Sequence, residues 1–129
     1  MTAQDALARH RMTRAHEALE EADLLAGRGH YNTALNRLYY AAFYAARALL
    51  ALQRLDSSRH SGVIALFQKH FVSGGIIPDD VARVLPQAFA RRQVTDYGDF
   101  AQATAEEVTK LREEVVRFLS ACERRLDES

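Results

Sequence analysis

The chain is poor in the residues that cross-link or punctuate a fold. It has one cysteine, two prolines and no tryptophan in 129 residues. A single thiol excludes an internal disulfide and leaves no zinc-finger framework. Cys122 stands in a helical pattern and reads as a small packing residue. No apolar run approaches membrane-spanning length and the N-terminus carries no signal-peptide pattern, so a cytoplasmic protein without membrane contact is expected. Charge of one sign is also missing. Seventeen lysines and arginines balance 17 aspartates and glutamates, and no net field draws the protein towards nucleic acid or anionic lipid. Lysine is scarce in its own right, because 15 of the 17 basic residues are arginine. Any contact with RNA must therefore come from a local arginine patch.

What is present favours helix. Hydrophobic residues make up 48% of the chain and charged ones 26%, with alanine and leucine dominant. The length suits one core, and a single domain over 1–129 is expected. The first segment, Ala3 to Ala26, repeats Leu19, Ala22, Leu25 and Ala26 at helical spacing, stops at Gly27 and Gly29, and is expected to fray over its first ten residues. The second, His30 to Leu55, is apolar around most of its circumference and reads as the central helix. Ser57 or Ser58 is a candidate N-cap for a third helix, His60 to Val72, which ends at Ser73-Gly74-Gly75. A fourth opens at Pro78-Asp79, and Pro86 within it predicts a bend or a break into two shorter helices. Tyr97-Gly98-Asp99-Phe100 closes it. The last runs from Thr104 to Leu126 with Val108, Leu111, Val115, Phe118, Leu119 and Cys122 inward. The expected fold class is all-α, an up-and-down antiparallel bundle of four to five helices.

Three stretches carry a likeness: NRLYYAAFYAARALL (36–50), RHSGVIALFQKHFVSGGIIP (59–78) and ARRQVTDYGDF (90–100). Together they resemble the HEPN domain family, in the prokaryotic type encoded beside a minimal nucleotidyltransferase. The resemblance implies a homodimer with a site at the subunit seam, a nucleotidyltransferase partner in a toxin–antitoxin-like pair, and RNA or nucleotide as ligand. Ribonuclease members carry an arginine followed four to six positions later by a histidine. A base there takes the proton of the ribose 2′-hydroxyl while a cation stabilises charge on the phosphate. Arg91 or Arg92 would match the arginine. No histidine follows, and Tyr97 stands in its place. Tyrosine near its ordinary pKa of about 10 is a poor base at neutral pH, so proton transfer would fall to Asp96, Tyr97 or His60.

Each candidate also has a plainer reading. Arg92 and Asp96 are four apart and can simply pair on one helix face. Arg91 and Tyr97 lie about 120° apart on an ideal helix and converge only if the chain leaves helical geometry before Gly98. His60 sits where a helix starts, a place that favours an anion, or it orients the loop. Tyr39 joins the apolar stripe with Phe43 and reads as core. Asn36, Tyr40, Tyr44 and Arg47 form a second, polar-aromatic stripe suited to subunit contact or to base stacking. The charged faces of the last helix, including Glu107 and Arg112, read as solvated surface. The remaining histidines, His10, His16, His30 and His70, show no ligand spacing, and neither a metal nor another cofactor is expected. Candidate catalytic residues are thus Arg91, Arg92, Asp96 and Tyr97. Candidate nucleotide- or RNA-binding residues are His60, Tyr40, Tyr44 and Arg47. A non-catalytic nucleotide-binding or scaffolding subunit, or a pure dimerisation module, is the alternative.

Overall fold

In the computed structural model the chain is helical and, among the described residues, without strands. The structure describes every residue except Asp99, and of Tyr97 the backbone only. The helices are α1 (Ala3–Gly27), α2 (Tyr31–Leu52), α3 (His60–Phe67), α4 (Asp79–Ala82, a single turn), α5 (Val84–Tyr97) and α6 (Ala105–Asp127).

The start of α1 departs from the expected fraying. The Thr2 hydroxyl accepts from the Asp5 amide (3.1 Å) while the Asp5 carboxylate accepts from the Thr2 amide (3.0 Å), a reciprocal cap that satisfies two orphan donors. Ala8 and Met12 are then buried rather than loose. At its other end the Gly29 amide bonds Ala26 (3.0 Å) and the His30 amide bonds Leu25 (2.9 Å). Gly29 adopts φ 78°, the left-handed conformation that this closure needs. The same closure ends α2 at Leu52, three residues short of the expected Leu55, but with Arg54 in the left-handed position (φ 57°).

Helix α2 packs against α1, α3, α5 and α6, the central role its apolar circumference predicts. Its alanines 34, 41, 42, 45, 46 and 48 are fully buried, as are Ala8 and Ala15 of α1. Contacts across the bundle fix the helix directions. Arg11 donates to the Arg47 carbonyl (3.1 Å) and Arg37 pairs with Glu21 (3.5 Å), so α1 and α2 run antiparallel. Arg9 pairs with Asp127 and Arg112 with Asp23, both at 2.6 Å, so α1 and α6 do too. Arg112, 44% exposed as the solvated reading expects, thus also bridges α6 to α1.

The third helix covers the expected residues, but its last turn, Gln68–Val72, widens to π geometry. Phe67 and Phe71 stack there at 5.4 Å, and Phe118 of α6 meets Phe67 edge-on at 5.5 Å. The break foreseen at Pro86 falls at Arg83, between α4 and α5. Proline 86 has no amide for the Ala82 carbonyl and its ring crowds that group, so the break lies one turn upstream. No described helix is long and apolar enough to cross a membrane.

Candidate functional site

Where α2, α3 and α5 meet, a cluster of aromatic and charged groups reaches the surface. Tyr39 is completely buried, as expected of core, but its hydroxyl lies 2.7 Å from Nδ1 of His60. The His60 ring stacks on Phe43 with centroids 4.3 Å apart and planes at 16°, and Tyr40 meets it edge-on at 5.8 Å. Three residues of α2, the adjacent Tyr39 and Tyr40 and Phe43 one turn on, therefore hold the first residue of α3 in place.

The position of His60 depends on the loop before it. Neither Ser57 nor Ser58 caps α3. Arg59 is the N-cap residue and makes no side-chain cap, while the Ser57 hydroxyl accepts from the Arg59 amide (3.3 Å) within the loop. That loop lies directly on the first turn of α3 at Gly62. A Cβ on Gly62 would fall 2.8 Å from Cβ of Ser57, and nearer still to its hydroxyl. Glycine here is a requirement of close approach.

Two arginines flank the ring. The Arg92 guanidinium lies 5.3 Å from the Tyr39 centroid and 5.2 Å from that of Tyr40, within cation–π range. Its Nε is 2.9 Å from Oδ2 of Asp96, at an angle that forms no hydrogen bond, and it is buried without another partner. The i,i+4 pair read from sequence is thus present. Asn36 donates to the same Asp96 oxygen (3.1 Å), so Asp96 is engaged by two side chains. On the other side Arg47 donates to Asp56 (3.0 Å) and lies over Phe43 at 5.9 Å, and its Nε is also buried and unpartnered. Burial first pushes the Asp56 carboxyl up, but the Ser57 amide and the Arg47 guanidinium outweigh this and hold it below its ordinary value.

These surroundings set the state of His60. Burial, then Arg92 and Arg47, push its pKa below the ordinary histidine value, so the ring is neutral at pH 7. Burial likewise pushes the Tyr39 phenol up, against the pull of Arg92, and keeps it protonated. A phenol O–H is a stronger donor than a neutral imidazole N–H, which assigns the shared proton to Tyr39 and leaves Nε2–H as the free ring group. An Nε2–H in the positive field of Arg92 and Arg47 is a donor suited to a phosphate oxygen.

The sequence candidates divide accordingly. Arg92, Asp96, Tyr40, His60 and Arg47 come together on one face. Tyr44 continues it, 5.8 Å from Tyr40 and capped by the Arg14 guanidinium at 5.3 Å. Arg91 does not join them. It makes a bidentate pair with Glu107 of α6 (2.7 and 3.0 Å). The α5 backbone stays helical through Tyr97, so the unwinding that would bring Arg91 to Tyr97 does not occur. The Tyr97 side chain lies outside the described residues. Missed from sequence was the Tyr39 hydroxyl, for which the signal was a tyrosine where phenylalanine would fill the core, since a buried phenol needs a partner. Asn32 was also missed. It donates to the Ala101 carbonyl (3.0 Å) and accepts from the Ala103 amide (2.7 Å), which fixes the chain after α5 to the start of α2.

An all-helical bundle with one basic-aromatic face is the class that fold and site define. Within that class the chain belongs to the HEPN domain family, whose sequence model matches residues 8–125. A UPF0332 protein of Thermotoga maritima is 35% identical over 89% of this chain and 87% of its own. Two Methanocaldococcus jannaschii proteins carry toxin names. "Putative toxin MJ0605" is 32% identical over 88% of this chain and 84% of its own, and "Putative toxin MJ0142" is 30% identical over 76% and 67%.

Proposed function

We propose that the protein is the toxin-like member of a cytoplasmic two-component pair and binds RNA or nucleotide by phosphate on the α2–α3–α5 face. The observation that carries this is the neutral His60, held by Tyr39 and flanked by Arg92 and Arg47 in a chain of zero net charge. Tyr40 and Tyr44 offer ring faces on which bases stack. Family membership and the toxin-named relatives support the toxin-like role. The resemblance to HEPN proteins encoded beside a minimal nucleotidyltransferase supports that kind of partner. Val94 and Phe100, 51% and 96% exposed near the end of α5, support a homodimer with its seam beside the site.

Cleavage asks more of the same atoms. Arg92 would stabilise the phosphate, and Nε2 of His60 would accept the 2′-hydroxyl proton from the other neutral tautomer, reached when Nε2 gives its proton to solvent and Nδ1 takes one from solvent and donates it to the Tyr39 oxygen; the leaving 5′-oxygen would take its proton from water. Asp96 is less suited as base because Arg92 and Asn36 already engage it.

The test is purified protein with total RNA and with a labelled single-stranded RNA, comparing wild type with Arg92→Gln, His60→Gln and Tyr97→Phe. Losing a charge-assisted bond costs about 1.5–3 kcal/mol, so Arg92→Gln should weaken binding roughly tenfold or more. Cleavage that disappears in Arg92→Gln and His60→Gln would add the catalytic step. Wild-type protein that neither binds nor cuts RNA would refute the reading. Co-purification with the product of a neighbouring nucleotidyltransferase frame tests the partner.

A further inference from the structure

His60 has a second side. The ring lines an open surface cleft of about 540 Å³ between α2 and the Asp56–Arg59 loop, with Phe43, Arg47, Asp56, Ser57 and Arg59 around it. That volume is within the range of sites that hold small ligands. We propose that this cleft is a phosphomonoester subsite, which takes the terminal phosphate of a nucleotide. The inference deepens the reading of this face as phosphate-binding and rests on it for the ligand class; it shares His60 and Arg47 with that face and adds Asp56, Ser57 and Arg59.

The charge inventory carries the argument. Arg11 and Arg47 both donate to the single Asp56 carboxylate (3.3 and 3.0 Å), and that carboxylate also accepts from the Ser57 amide (2.8 Å). Arg59 is exposed and makes no ion pair among the described residues. Arg47 and Arg59 line the cleft and Arg11 stands behind Asp56, so three guanidinium groups against one carboxylate leave two positive charges beside it. A phosphate monoester carries about −1.5 to −2 near neutral pH, whereas the diester of an RNA backbone carries only one. The surplus matches the monoester.

Geometry points the same way. Arg47 lines the cleft, and its Nε has no acceptor among the described residues, so the protein leaves this guanidinium only partly satisfied. The first residue of α3, His60, lines the same space, and the helix has no side-chain cap. The His60 ring, backed by Phe43, gives the cleft an aromatic wall for the base. Ser57 closes the loop over α3 only because residue 62 is glycine, so the cleft depends on that contact.

The experiment is calorimetric titration of the full chain at low salt with uridine 5′-monophosphate, uridine and inorganic phosphate, using wild type, Arg47→Gln and Arg59→Gln. The monophosphate should bind, phosphate should compete with it, and uridine should not bind. Arg47→Gln should weaken the monophosphate about tenfold or more. Arg59→Gln, exposed and unpaired, should weaken it about fivefold with an unchanged melting temperature, so the result does not hinge on folding of the Arg47 variant. A 5′-phosphorylated oligoribonucleotide binding more tightly than its 5′-hydroxyl form would identify an RNA end as the source, and equal binding would identify a free nucleotide. Equal affinity for uridine and its monophosphate, no monophosphate binding, or an unaffected Arg59→Gln would each overturn the proposal. RNA binding that needs Arg92 without any monophosphate binding would sink this subsite alone. Monophosphate binding without RNA binding would sink the RNA reading and leave the subsite standing.

Discussion

Replacing Gly62 by alanine tests whether the loop that shapes the site is held by close packing on α3. The added Cβ would lie 2.8 Å from Cβ of Ser57, against about 3.5–4.0 Å for relaxed carbon contacts, so the loop must retreat by about 1 Å. Overpacking of this kind costs about 1–3 kcal/mol. Removing a helical glycine gives back up to about 1 kcal/mol, less in a first turn. A net loss of about 1 kcal/mol follows. The clashing atoms belong to the Ser57 side chain alone, so Ser57→Gly should remove the conflict. By itself that change loses the long bond from the Arg59 amide (3.3 Å) and costs about 0.5–1 kcal/mol. In its background Gly62→Ala should be neutral or stabilising, which gives a coupling energy of about 1–3 kcal/mol. Urea denaturation of the four proteins measures it. If Gly62→Ala stabilises the protein with Ser57 intact, or the coupling is below about 0.5 kcal/mol, the close-packing argument is wrong.

Other perturbations reach other parts of the structure. Tyr39→Phe leaves Nδ1 of His60 without its partner and should cost about 1–2 kcal/mol in urea denaturation; no measurable loss would show that the bond contributes nothing. His60 is held below its unfolded pKa of about 6.5, so the unfolded chain binds more protons. Its contribution to stability is complete above that pH, is lost as pH falls from there to the folded value, and is constant below. Arg92→Gln removes one of the causes, so His60 should titrate nearer 6.5 by ring NMR, and an unchanged titration would contradict the placement of Arg92. Arg54→Gly relieves a left-handed arginine at the end of α2 and should stabilise the fold by about 0.5–1 kcal/mol, which a thermal melt would register or deny. Arg91→Ala should cost about 1 kcal/mol or less, since its Glu107 pair is a third exposed, and should leave RNA binding intact. Arg92→Ala should show the opposite pattern.

Helix periodicity and boundary signals made most of the bundle legible, because α1 and α6 each bury one side, α2 is apolar nearly all round, and their limits fall at glycines, a left-handed cap or a capping threonine. The π turn at Gln68–Val72 was not legible. Phe67 and Phe71 stack there and Phe118 meets Phe67 from α6, contacts made in three dimensions that have no local signature. For the site, spacing alone placed Asp96 beside Arg92, and the polar-aromatic stripe marked the face of α2. Arg91 could not be separated from Arg92 by spacing, because adjacent helical residues point about 100° apart and only the position of α6 decides which one meets Glu107. His60 and Tyr39 are 21 residues apart, and nothing local links them. Their hydrogen bond is a product of tertiary packing.

The alanines buried between α1 and α2 have a consequence for how this protein can vary. In a leucine core a typical substitution removes volume and leaves a hole that neighbours can partly refill. Here the side chains at 8, 15, 34, 41 and 45 are already a single methyl with no exposure, so nearly every substitution adds volume instead. Added volume at a helix seam cannot be absorbed by a rotamer change, since an alanine neighbour has none to offer. It must move a backbone. Because α2 carries Tyr39, Tyr40, Phe43 and Arg47 on its other faces, a wedge driven into the α1 side would displace the residues that hold His60. Drift at positions far from any ligand is thereby coupled to the geometry of the site.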